Sequence, residues 1–197
     1  DMMSTGNEYN MEIAEESCGK SLWELIDDNK ILPSYFIPYC TRALKIEPSR
    51  TFFNKLKTDF VVHFGYGADE WRRVQKQTIR YEAEGIKSRA LIFERQIQDD
   101  EIKRTIRDEW KICLPEPYKH LQHNNCIPCF KGGKKHFYQV AKYYPVEFQK
   151  AIEYAEKYES EPFKDITLRQ LFHEVQLGNR QISLIDDDYG IPCMCAD

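Results

Sequence analysis

Residues 123–133 read His-Asn-Asn-Cys-Ile-Pro-Cys-Phe-Lys-Gly-Gly, which gathers two thiols, an imidazole, two amides, an ammonium group and a glycine pair into one loop. Cysteines separated by two residues can turn both thiolates toward one metal ion or one cluster iron, because the dipeptide between them lets the backbone fold back on itself. Cys126 and Cys129 are therefore candidate ligands. Cys40, Cys113, Cys193 and Cys195 are further thiols that could complete such a site, and Cys18 reads as a small buried hydrophobe. His123 has two roles open to it, direct ligation or a hydrogen bond to a thiolate.

Composition sets the frame for those thiols. Seven cysteines are an odd count in a chain of 197 residues, whereas a secreted disulfide framework favours an even number in a shorter chain. No apolar leader is evident, and runs such as residues 60–64 fall far short of the roughly 20 residues of a membrane span. The expectation is a cytoplasmic, reducing setting with no membrane partner, where clustered cysteines are ligands or redox centres more often than bridges. With 42% apolar, 13% aromatic and 30% charged residues, the chain can bury the core of one domain. A formal net charge of -4 provides no global basic field, so nucleic acid is not indicated as a partner and any anion must be met by local cations.

The elements that would position these groups follow from periodicity and punctuation. Helical pieces broken at Gly19 are expected over residues 8–26, then a proline-bounded loop over 33–38. Pro48 suits the first turn of a helix carrying Phe52, Phe53 and Leu56. Residues 59–64 form an apolar run ending in glycines, as a buried strand entering a ligand-facing turn does, with His63 read as a core histidine. The charged group Asp69, Glu70, Arg72 and Arg73 follows that strand's carboxyl end, where open α/β sheets place ligands; the alternative is a solvated helix start. A second strand is expected over 90–93, after a turn at Gly85. Beyond it lie helices: one opened by Asp99 and Asp100 with Ile102, Ile106 and Trp110 on one side, a pair over 134–143 and 146–158 divided by Pro145, and one capped by Thr167. The aromatic residues at 137, 138, 143, 144, 148 and 154 read as core from their helical spacing. The run Asp186-Asp187-Asp188 reads as a solvated acidic turn, with magnesium binding as the alternative.

Three segments together carry a family resemblance. Residues 39–48 (YCTRALKIEP), residues 61–73 ending in GADEWRR, and the asparagine-flanked CxxC followed by Lys131-Gly132-Gly133 resemble the 3'-phosphoadenosine 5'-phosphosulfate (PAPS) reductase-like family of the adenine nucleotide alpha-hydrolase, or PP-loop, superfamily. The nearest likeness is to its phage and bacterial members. The resemblance implies an α/β fold with a Rossmann-like sheet, partial at the N-terminus, over residues 1–112, and a helical, cysteine-bearing portion over 113–197 packed on it as one domain. It implies an adenine nucleotide such as ATP, adenylyl sulfate or PAPS, with Thr41, Arg42, Lys45, Arg72, Arg73 and Lys131 lining its phosphate or phosphosulfate. It also implies that Cys40, Cys126 and Cys129, with Cys195, Cys193 or Cys113 as the fourth, hold a 4Fe-4S cluster or zinc.

The chain departs from the family in two motifs. The phosphate loop of the form serine-glycine-glycine-x-aspartate-serine is absent, and residues 5–8 resemble the segment that follows the family's second strand, so such a loop is expected upstream of Asp1. The reductases' glutamate-cysteine-glycine-leucine-histidine motif is also absent, so thioredoxin-dependent release of sulfite from PAPS is not expected of this chain. Three functions stay open: adenylation or sulfur transfer assisted by the metal or cluster, a catalytically degenerate metal-stabilised binding or scaffold domain, and a component of nucleic-acid thiolation. A nucleotide is the expected small-molecule partner, with a protein partner or homodimer left open.

Overall fold

The computed structural model describes residues 17–122 and 124–178. The expected ligands Cys193 and Cys195, the residues His123 and 186–188, and the segments before Ser17 lie outside the described residues. The chain divides into two units. The first takes in Ile46–Leu114; the second takes in Cys18–Lys45 together with residues 115–178 of the described chain. The sequence expectation draws one boundary at 112/113, and the structure instead groups residues 18–45 with the C-terminal helices.

The second unit is helical. It contains α1 (Leu22–Asn29) and α2 (Tyr39–Thr41), the latter running into a π-helical turn over Arg42–Ile46 that ends in the first unit as α3 (Glu47–Lys55). A 3-10 turn over Glu116–Lys119 precedes the cysteine loop. Ser21 starts α1 with a reciprocal cap: the Glu24 N–H donates to its hydroxyl at 3.3 Å, and its own N–H donates to the Glu24 carboxylate at 2.7 Å.

The helices expected toward the C-terminus form as the periodicity predicts. They are α7 (Lys134–Tyr143), α8 (Pro145–Lys157) and α9 (Leu168–Gln176). Proline is tolerated at a first helical position because its missing N–H would have no partner there, so Pro145 ends one helix run and begins the next. Phe137, Val140 and Ala141 of α7 meet Phe148, Ala151, Ile152 and Ala155 of α8, with Leu168 and Leu171 of α9. Ile26 of α1 joins this core, and its neighbour Asp27 ties α1 to α8 by accepting from Lys157 at 2.7 Å, Tyr158 at 2.5 Å and Tyr154 at 3.2 Å. Of the six aromatic positions read as core, Phe137, Tyr138 and Phe148 are buried, whereas Tyr143 is exposed and stacks on His120 at 3.9 Å.

The first unit is a mixed α/β piece. Strand β1 (Val61–His63) runs through α4 (Trp71–Ala83) to β2 (Lys87–Arg89), and the strands pair in parallel with Val61 opposite Lys87 and His63 opposite Arg89. The packing is largely aromatic: Phe53 stacks on Phe60 at 5.5 Å, and Phe64 on Tyr81 at 6.1 Å. Helices α5 (Leu91–Glu94) and α6 (Asp99–Arg104) follow, and a π-helical turn over Thr105–Glu109 extends α6.

Three local expectations are corrected. The second strand lies at 87–89, and residues 91–94 are helical instead, because the Glu94 carboxylate folds back to accept the Ala90 N–H at 3.1 Å and to pair with Arg89 at 2.5 Å. Strand β1 is not buried: Val61 and His63 both face solvent, since among the described residues β1 has only β2 beside it. His63 is therefore not a core histidine. Cys18 is only half-buried, and its thiol donates to the Lys20 carbonyl at 3.4 Å.

Candidate functional site

The second unit brings six of the sequence-nominated residues around one cavity. Cys40, Thr41 and Lys45 reach it from the α2 and π-helical segment, and Cys126, Cys129 and Lys131 from the loop before α7. Spacings of one, four and five residues place 40, 41, 44 and 45 on one side of the helical run. Arg42 falls on the other side and is exposed. Tyr39 pins the start of this segment by donating to the Ile31 carbonyl at 2.5 Å, and its burial pushes the phenol well above its ordinary range.

The loop is held from within and from below. Cys129 is buried and Cys126 exposed, and the Ile127–Pro128 peptide between them is cis. The Gly132 N–H donates to the Cys129 carbonyl at 2.8 Å, closing a turn over residues 129–132. Phe130, buried in that turn, meets Trp23 edge-on at 6.0 Å and Phe137 at 6.0 Å, so the turn is anchored into the helical core. The Cys129 N–H donates to Nε2 of His136, in the first turn of α7, at 2.9 Å. His136 carried no spacing signal in the sequence, and Gly132 stood out only as part of the glycine pair; a histidine seven residues after the second cysteine, across that pair, is the pattern that marks them together.

The cavity is small and lined mainly by sulfur-bearing and apolar side chains. Its walls are sulfur and hydrocarbon, from the three cysteines with Leu22, Pro33, Leu44, Pro128 and Phe130, and its volume is about 30 Å³. Space of this order holds a water or two, against the roughly 300 Å³ or more of a pocket that encloses an organic ligand. Thr41 is buried, and its hydroxyl accepts from Lys131 Nζ at 3.4 Å. The thiols fit zinc or iron in kind. In this conformation, however, no three His, Cys, Asp or Glu side chains among the described residues stand close enough to hold one ion between them.

Arg72 and Arg73 belong to the first unit. After β1, the Gly67 N–H donates to the Glu70 carboxylate at 2.7 Å, and the same carboxylate binds the Arg73 guanidinium, which also lies over the Tyr66 ring at 4.4 Å. Arg72 is exposed and lies over the Trp71 ring at 5.4 Å. A second cavity, about 130 Å³ and lined in part by Asp59, Phe60, Ile86 and Lys87, sits at the amino ends of both strands, whereas open α/β sheets take ligands at the carboxyl ends. Cys113 is exposed and also belongs to the first unit. No helix among the described residues is long and apolar enough to cross a membrane.

Comparison with models of known protein families, with curated proteins and with solved structures found no match for this chain.

Proposed function

We propose that this protein is a PAPS reductase-like, thiolate-centred protein in which Cys40, Cys126 and Cys129, completed by Cys195, hold a metal centre, and which binds an adenine nucleotide or sulfonucleotide. One observation carries the reading: Cys40 and the sequence-distant pair Cys126 and Cys129 line the same small cavity. A soft metal gathers thiolates from separate segments in this way. The ion-sized volume favours a single zinc ion over a four-iron cluster. When bound, the metal would act as a structural centre, or as a Lewis acid if one coordination position stays open.

The chain's own residues supply the rest. Lys45 and Lys131, which line the thiol cavity, would provide cations for a phosphate or sulfate together with Thr41; Arg72 and Arg73, in the first unit, would meet an anion separately. The β1–α4–β2 arrangement agrees with one repeat of a Rossmann-like sheet, in which the turn after β1 would face the nucleotide. In adenylation or sulfur transfer these groups would bind and orient the phosphates.

The test is metal content and ligand binding. Protein purified anaerobically should contain zinc, or iron with sulfide, near one centre per chain, and Cys126→Ser should release it. Calorimetry with ATP, adenylyl sulfate and PAPS should then show binding of at least one. Metal-free protein under these conditions removes the central claim.

A second reading is favoured by the engagement of Glu70 with Arg73 and the Gly67 N–H. Two donors that would greet an anion already hold a carboxylate, as suits a catalytically degenerate domain that keeps its metal for stability and binds a partner. Metal retention with no response to any of the three nucleotides would select this reading.

A further inference from the structure

We propose that His136 is a positioning residue for the thiolate centre, acting through the backbone of Cys129 and protected by the absence of a side chain at Gly132. The inference rests on the proposed metal site and names a device that neither the cysteine spacing nor the family resemblance contains.

The geometry has three parts. First, Nε2 of His136 accepts the Cys129 N–H at 2.9 Å. An imidazole accepts at Nε2 only when that nitrogen carries no proton, so the ring is the tautomer protonated at Nδ1. Second, His136 sits in the first turn of α7, whose Phe137, Val140 and Ala141 are fully buried; the ring is thus carried by a rigid element while Cys129 is carried by a loop. Third, a Cβ at Gly132 would stand 2.7 Å from Cδ2 and 2.9 Å from Cγ of His136, and 3.0 Å from the Cys129 carbonyl oxygen. Those ring atoms lie near the root of the side chain, so any larger residue at 132 must push the imidazole off the Cys129 N–H or open the turn.

The consequence concerns the thiol. Cys129 has its N–H bound by His136 and its carbonyl bound by the Gly132 N–H at 2.8 Å. With both backbone groups bonded, Cys129 is held in place among the residues that line the cavity with Cys40 and Cys126. Groups that orient metal ligands from behind commonly change affinity by about 10–100-fold when removed. Here the orienting group grips the ligand's main chain instead of its donor atom.

Anaerobic titration of the reduced full-length protein with Co²⁺ tests this, read by the near-ultraviolet thiolate-to-cobalt charge-transfer band. His136→Phe keeps ring volume but removes the acceptor, and should weaken Co²⁺ binding about 10–100-fold. His136→Gln places an amide oxygen near the Nε2 position and should bring affinity back close to wild type, a recovery that simple filling of space does not produce. Gly132→Ala should weaken Co²⁺ binding as well, because its Cβ meets the imidazole and the Cys129 carbonyl. Circular dichroism and urea midpoints establish that each variant is folded; should His136→Phe not fold, His136→Gln and Gly132→Ala carry the comparison. Wild-type affinity in His136→Phe or no recovery in His136→Gln would each overturn the positioning role while leaving the thiolate centre standing. Wild-type protein that shows no charge-transfer band, with Cys126→Ser indistinguishable from it, would overturn both.

Discussion

Single residues in the second unit carry distinct loads. Phe130 is the anchor of the cysteine loop, buried among Trp23 and Phe137. Phe130→Ala should cost about 3 kcal/mol of stability in urea unfolding and should also lower metal content, since the turn over 129–132 would lose its attachment to the core. A loss of stability with full metal occupancy would separate the anchor from the site. Asp27 carries a different load. Hydrogen bonds from Lys157 and then Tyr158 hold its carboxyl below the ordinary range. A carboxylate lowered on folding contributes stability above about pH 4, its unfolded value, and that contribution is lost as pH falls through the folded value. The urea midpoint of Asp27→Asn should therefore decline less on acidification than that of the native chain; coincident acid profiles would refute this.

At the scale of elements, capping side chains fix where helices begin. In α9 the Gln170 N–H donates to the Thr167 hydroxyl at 3.1 Å while the Thr167 N–H donates to the Gln170 amide oxygen at 2.9 Å. Thr167→Ala should cost about 1 kcal/mol, and Thr167→Asn only a few tenths, because asparagine caps as well as threonine. Equal losses in both variants by chemical denaturation would show that the methyl group, not the cap, matters. This cap and the α7–α8 pair were legible in the sequence because a periodicity near 3.6 and punctuation by Thr167 and Pro145 are local signals. Strand β2 was not legible. Its residues are Lys87, Ser88 and Arg89, without an apolar pattern, and they are extended because β1 pairs with them; the neighbouring apolar run 91–93 turns helical once Glu94 reaches back to Ala90.

For the whole molecule, the division into two units would make the proposed metal binding a local event. Zinc loading of the reduced protein should slow hydrogen exchange in residues 18–45 and 115–178 and leave Ile46–Leu114 near its metal-free rates; protection spread evenly over the chain would show that the centre is not confined to the second unit. The sequence by itself determined the helical character of the C-terminal half, a strand near residue 61, the thiol chemistry of the 126–129 loop and the want of a global basic field, because each is written in residue type and short-range spacing. Tertiary structure alone decided that residues 18–45 join the C-terminal helices and that β1 stays exposed. It alone revealed the grip of His136 on Cys129. The physical reason is the same in each case: burial and hydrogen bonding between segments as many as 131 residues apart, as from Tyr158 to Asp27, depend on how helices pack, and no local period encodes that.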